Sequence, residues 1–299
     1  MFAIPRSRCQ AVCGTGGARL TRGSVDPVRC VARLAAAVLA LAGAVGCSTP
    51  RSIHAPFAEV DPVLDGRGDD AVWKRAKWSE DFVDIEGPAR KAPSQRTRVK
   101  VAWSDSALFI LAELDETDLW ATLRTHDEVV FHDNDFEVFI DPDGDCCEYY
   151  EIEVNAYGTV FDLYLPAPYR AGGRANHGWN ARGLQVAIAL NGTLNDNRDR
   201  DVGWTVEMAL PWSVFEPVAV DERGARVITK QRCRRPPTAG DVWRVNFSRV
   251  QWQLDCVDGG YRKVPGRAED NWVWTPQWMI DMHAPQWWGR VVFDAPPKP

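Results

Sequence analysis

The chain has 299 residues, 35 Lys and Arg against 41 Asp and Glu, a net charge of −6, and is 45% hydrophobic and 25% charged. That is globular composition, which excludes a disordered, collagen-like or coiled-coil chain. No apolar run reaches the roughly 18 residues of a spanning helix, which excludes a polytopic helical membrane protein.

Residues 34–45 (LAAAVLALAGAV) follow Arg29 and Arg33 and precede Gly46-Cys47. A basic start, an apolar middle and a small-residue end read as a secretory signal over 1–46. Residues 44–47 (AVGC) resemble a bacterial lipoprotein box, which would make Cys47 the lipidated first residue of an envelope protein. A plain cleaved signal with an incidental cysteine is the other reading. Residues 1–24 are neither apolar nor address-like, which suggests that translation starts near Val25 or Val28. Without 1–46, six Arg and one Asp leave, so 29 basic and 40 acidic residues remain and the net charge is −11. Such a surface repels phosphate backbones and anionic headgroups. It suits neutral ligands, cations or simple solubility, with no nucleic acid expected as a partner and a membrane only through the anchor at Cys47. Cys146, Cys147, Cys233 and Cys256 are then available in an oxidising compartment, where Cys233 and Cys256 could staple a loop. No C-x-x-C pair suggests a zinc ribbon or a redox motif.

Residues 47–56 read as a polar tether. From 57 onward, short runs alternate with period two: 99–103, 107–114, 136–140, 149–156, 159–165, 184–190, 204–210, 242–252, 272–274 and 290–293. Gly, Pro, Asn and Asp divide them, the signature of antiparallel sheets with one wet face. Helical signals are confined to 69–77, capped by Asp69 or Asp70, and to 211–215, opened by Pro211. The expected fold is all-β, a single antiparallel β-sandwich with few short helices.

All 14 tryptophans lie at Trp73 or beyond. An indole offers a flat apolar face and one N–H donor, which suits a sugar ring, and it also suits a core; about half are expected inside. Carboxylates crowd residues 133–153. Asp141, Asp143 and Asp145 surround a turn and are a weak candidate calcium site, with an acidic hairpin turn the plainer reading. A glycosidase pair among these carboxylates is conceivable, but nothing singles one out. Met282 and His283 raise haem ligation as an alternative; as strand neighbours they would face opposite ways, so a distant partner such as Met208 would be needed.

Residues 64–73 (LDGRGDDAVW), 134–142 (NDFEVFIDP), 149–155 (YYEIEVN), 203–211 (GWTVEMALP), 243–249 (WRVNFSR) and 283–289 (HAPQWWG) occur in an order that resembles family 9 carbohydrate-binding modules. The resemblance covers about 57–294. It implies a jelly-roll or immunoglobulin-like sandwich, often with structural calcium, and binding of sugar-chain ends. Of the two tryptophans that sandwich the sugar in the founding modules, one position falls at Phe131 and the other near Met282. A sugar-contacting glutamate is kept as Glu137, and an arginine on the next strand is replaced by Glu153. The chain looks closer to free-standing, exported family 9-like proteins. The resulting expectation is non-catalytic glycan binding in support of polysaccharide capture or catabolism, with a haem-binding electron-transfer domain or a glycoside hydrolase as alternatives. Glu137 would accept sugar hydroxyls and Arg249 would donate in a forked geometry. Trp179, Trp252 and Trp274 are the stacking candidates, with Phe131 a weaker platform. His283 is expected to lock the C-terminal turn by a hydrogen bond.

Overall fold

The structure, a computed structural model, describes residues 50–215, 218–220, 226–228 and 232–298. The expected signal, alternative start and lipidated Cys47 lie outside the described residues.

Two sheets carry the fold. The larger runs β1 (Ser52–Ala55), β16 (Gly289–Phe293), β12 (Val242–Gln251), β5 (Asp135–Asp141), β6 (Tyr149–Asn155) and β7 (Val160–Leu165). Beside the far end of β12 lies β15 (Asp270–Val273), with β2 (Val83–Asp84) outside it. The smaller sheet runs β3 (Thr97–Trp103), β4 (Ala107–Asp115), β9 (Gly203–Pro211) and β8 (Gln185–Asn191). Two hairpins stand apart, β10 (Val218–Val220) with β11 (Arg226–Ile228) and β13 (Leu254–Val257) with β14 (Gly260–Lys263). Helix α1 is a single short segment, Ala71–Arg75.

Period-two alternation decides what enters the space between the sheets. Phe136, Val138 and Ile140 of β5 and Tyr150, Ile152 and Val154 of β6 point inward, against Val99, Val101, Leu108, Ile110, Val206 and Met208 of the smaller sheet. The odd-numbered residues of β5 and β6 take the outer face. That face is not wet as expected: every residue of both strands is buried. A second apolar cluster including Phe139, Tyr149, Phe161, Leu163, Met282 and Trp288 covers it.

Three local expectations need correction. Residues 52–55 are a strand, not part of a tether, and β1 pairs with β16 in parallel. Asp70 occupies the cap position of α1 but its side chain makes no capping hydrogen bond. Cys233 and Cys256 are free thiols, as are Cys146 and Cys147.

Candidate functional site

A cleft of about 550 Å³ opens on the outer face of the larger sheet. Its floor follows from register. Glu137 of β5 stands directly opposite Glu153 of β6, and Phe139 stands opposite Glu151. Phe161 and Leu163 of β7 continue the two rows. Directly paired side chains on one face have Cβ atoms about 4.5–5.5 Å apart, so three carboxylates and three apolar side chains share one small surface. Phe131, Tyr169, His177 and the segment Ile280–His283 rise around it. Phe131 and Tyr169 are 37% and 45% exposed, so their rings are open to a ligand.

The floor is acidic, and its carboxylates are buried. Burial pushes the Glu137 carboxyl up to about 7. Burial, then neighbouring carboxylates, also raises Glu151, Glu153 and the adjacent Asp135 well above the usual range. Neither Lys nor Arg is among the described residues lining the cleft. Arg170, near the rim, is engaged by Asp281. His283 is held down to about 4 by burial, so it is neutral at pH 7. Its Nδ1 lies 3.1 Å from the Tyr149 hydroxyl, and Trp288 Nε1 donates to the Met282 carbonyl at 3.0 Å. These bonds fix the wall that carries Met282.

Of the residues singled out by sequence, Phe131 and Glu137 line this cleft, together with Met282. Trp274 does not: it is fully buried against Phe247, and its Nε1 donates to Glu80 at 3.1 Å. Trp179 sits in the inter-sheet core, 5.0 Å from the Tyr150 ring. Arg249 is 1% exposed and has no N–H left for a ligand. It bonds Gln95, Thr97, the Asp115 carbonyl, Glu116 and Gln251. Trp252 is half-buried beside the rim. Its Nε1 donates to the Phe131 carbonyl at 2.9 Å, and the Lys263 ammonium caps its ring at 3.5 Å. It therefore positions Phe131 rather than offering a free face. Ten of the tryptophans are buried, more than the expected half: Trp73, Trp103, Trp120, Trp179, Trp204, Trp212, Trp243, Trp272, Trp274 and Trp288. Sequence reasoning missed Tyr169, His177 and Asn271, which line the cleft from loops and a sheet edge.

Asp141, Asp143 and Asp145 do come together, with one oxygen from each within 4.8 Å of the others. Their oxygens close their own loop: Asp141 accepts from the N–H groups of Gly144 and Cys146, Asp145 from Cys147, and Asp143 from Arg232. Arg244 adds a cation 4.0 Å from Asp141. Asp143 Oδ1 is buried without a hydrogen-bond donor among the described residues. For the haem reading, Met208 is sealed between the sheets, on the other side of the floor from Met282. Met282 and His283 lie in a loop and line the same cleft instead of facing opposite ways. Neither pairs with Met208 across one guest.

A second, shallower cleft of about 420 Å³ lies at the β7 edge. In it Asp162 is 2% exposed and faces His126 and Asp127. Burial lifts its carboxyl to about 6. A folded-state pKa above the unfolded value means that the folded state binds the extra proton, so stability falls as pH rises from about 4 to about 6. Asp162→Asn should flatten that fall and gain up to about 3 kcal/mol over the parent at pH 7. Denaturant melts of both proteins at pH 4, 5, 6 and 7 check this; parallel curves would refute it.

The model of the family "Carbohydrate family 9 binding domain-like" matches residues 64–229, more than half the chain. The chain belongs to this family. Among curated relatives of this family 9-like chain, endo-1,4-beta-xylanase A of Thermoanaerobacterium saccharolyticum is 26% identical over 157 residues, which is 52% of this chain and 11% of that enzyme. Exoglucanase XynX of Acetivibrio thermocellus is 24% identical over 152 residues, 51% of this chain and 12% of that enzyme. The chain thus matches only about a tenth of the length of these relatives. Among solved structures, a family 9 module from Caldicellulosiruptor kristjanssonii in complex with cellotriose superposes with a TM-score of 0.50 at 13% identity, covering 83% of this chain and 96% of that one. A protein from Bacteroides uniformis, named for carbohydrate binding, gives 0.56 at 15%, covering 82% and 100%. At these identities the likeness is one of fold.

Proposed function

We propose that this family 9-like chain binds a carbohydrate without cleaving it, in the cleft on the outer face of the larger sheet. The observation that carries the reading is the pairing of two open aromatic rings, Phe131 and Tyr169, with a floor of hydrogen-bond acceptors headed by Glu137. A sugar ring presents C–H groups to an aromatic face and hydroxyls to acceptors, and a cleft of this size suits one or two rings. The Caldicellulosiruptor module, which shares the fold, is complexed with cellotriose in one structure and with glucose in another. Export as an envelope lipoprotein held through Cys47, in support of polysaccharide capture, completes the proposal; Cys47→Ala should move the protein out of the membrane fraction.

Intrinsic fluorescence titrated with a panel of oligosaccharides tests the binding. Phe131→Ala and Tyr169→Ala should each weaken it by about 1–3 kcal/mol. Their melting temperatures should hold, since both rings are partly in solvent. Parental affinity in both variants would remove the cleft from consideration. Release of reducing ends would turn the reading into a hydrolase, and a Soret band would turn it into a haem protein.

A further inference from the structure

The second cleft, at the β7 edge, holds a charge that its neighbours leave uncompensated. Asp162 takes an inward place on β7 between Val160 and Tyr164, directly opposite the buried Ile152. A carboxylate in an apolar row needs a partner for each oxygen. Asp162 Oδ2 has one, the Ala181 N–H at 3.0 Å. Oδ1 is buried with no hydrogen-bond partner among the described residues, on a residue only 2% exposed. Arg182 lines the same cleft but donates nothing to that oxygen. One ligating atom each of His126, Asp127 and Asp162 lies within 4.8 Å of the others. His126 Nε2 stands 2.8 Å from Asn180 Oδ1 and 3.4 Å from Asp127 Oδ1. One ring nitrogen thus faces two oxygens, where a single ring proton serves only one. Backbone bonds hold the set in place: Asp127 N–H donates to the Val160 carbonyl at 3.0 Å, and Ala181 N–H ties Asp162 to the segment that carries Asn180.

We propose that His126, Asp127 and Asp162 bind a zinc ion at the β7 edge, with Asn180 Oδ1 completing the shell. A set that joins an imidazole nitrogen to carboxylate oxygens suits zinc, whereas calcium and magnesium take oxygen ligands. Ligands about 2.0–2.2 Å from a tetrahedral ion lie about 3.3–3.6 Å apart. The His126–Asp127 pair already has that spacing. His126, Asp127 and Asn180 are exposed, so their side chains can close on an ion while the buried Asp162 stays fixed. The ion takes the place of the proton on His126 Nε2 and supplies the partner that Asp162 Oδ1 lacks. It would also tie residues 126–127 and 180–182 to the edge of the larger sheet. The proposal stands apart from the glycan reading: among the described residues, none of these four lines the cleft assigned to sugar.

The test is calorimetric titration of zinc chloride into the chelator-stripped full chain at pH 7.0, with no carbohydrate present. Zinc should bind and raise the melting temperature of the parent, and millimolar calcium should not displace it. His126→Ala and Asp162→Asn should each weaken binding at least tenfold and abolish the melting shift. Neither loss can be put down to misfolding: the His126 side chain is exposed, and Asp162→Asn is expected above to be the more stable protein when no metal is present. Cobalt(II) serves as the spectroscopic probe, because ligation by nitrogen and oxygen lacks the near-ultraviolet thiolate band that the free thiols of Cys146, Cys147, Cys233 or Cys256 would give. The proposal is overturned if zinc produces neither heat nor a melting shift in the parent. It is equally overturned if binding survives both substitutions, if calcium displaces the ion, or if the bound cobalt shows the thiolate band.

Discussion

Arg249→Ala is expected to destabilise the fold by about 3–5 kcal/mol, measured by denaturant unfolding. The guanidinium lies at one edge of the sandwich and ties β12 of the larger sheet to β3 and β4 of the smaller one through Thr97 and the Asp115 carbonyl. Its ion pair with Glu116, at 2.9 Å, is buried on both sides, the two side chains being 1% and 2% exposed. Removing one partner of such a pair leaves the other charge uncompensated in a dry setting, the origin of the large penalty. Glu116 would retain only the weaker donors Gln251 and Asn134 on Oε2. The double variant Arg249→Met with Glu116→Met removes both charges and should recover a substantial part of the loss, because an apolar pair has no desolvation penalty to meet. A single-variant loss below about 1 kcal/mol would contradict the assignment of Arg249 as an internal tie.

The same residue shows how far the sequence could be read. In β12, Trp243, Val245 and Phe247 alternate inward, and Arg249 continues that parity. An arginine in phase with an apolar row announces an internal partner, and alternation alone therefore disfavoured the sugar contact expected of it. Trp274 shares an inward row with Trp272, as its spacing indicated, but spacing does not say which face is the inner one. The large sheet was legible because β5 and β6 are long and strongly alternating. Ser52–Ala55 was not, because four residues are too few to show a period and parallel pairing with β16 joins opposite ends of the chain. Glu137 was visible at the centre of its acidic strand. Tyr169 lies in a single 3-10 turn, Tyr169–Ala171, and His177 in a loop, both too short to show a period, and only the tertiary fold brings them over the floor. Within the acidic run at 133–153, spacing points to Asp141, Asp143 and Asp145 around a turn. The register shows that its consequential part is the Glu137–Glu153 pairing, which no spacing within one strand reveals.

Trp73→Ala should cost a further about 3–5 kcal/mol, the range for deleting a large buried aromatic. Helix α1 is far too short to be stable by itself, so packing must hold it. It buries Val72 and Trp73 against Ala102, Phe109 and Leu111 on the outer face of the smaller sheet. At the centre of that contact lies Glu207 of β9, which is fully buried. Its Oε1 accepts from Trp73 Nε1 at 2.7 Å, and its Oε2 accepts from the backbone N–H groups of Asp65 and Gly66 at 3.1 and 2.7 Å. Gly66 adopts φ +78°, and a Cβ there would come 2.7 Å from the Ala189 nitrogen, so the chain passes too close to β8 for any side chain. Residues 64–73 and 203–211 are thus one physical unit, a carboxylate wrapped by a glycine turn and an indole. Trp73→Phe keeps an aromatic ring but deletes the N–H and part of the indole, so it should lose about 1–3 kcal/mol for leaving a buried acceptor short of a donor, together with a smaller packing loss. Because this unit covers the face of the sandwich opposite the carboxylate cleft, glycan affinity measured on the folded fraction should be unchanged in Trp73→Phe. A loss of affinity with intact stability would instead mean that the smaller sheet, not the larger, meets the ligand.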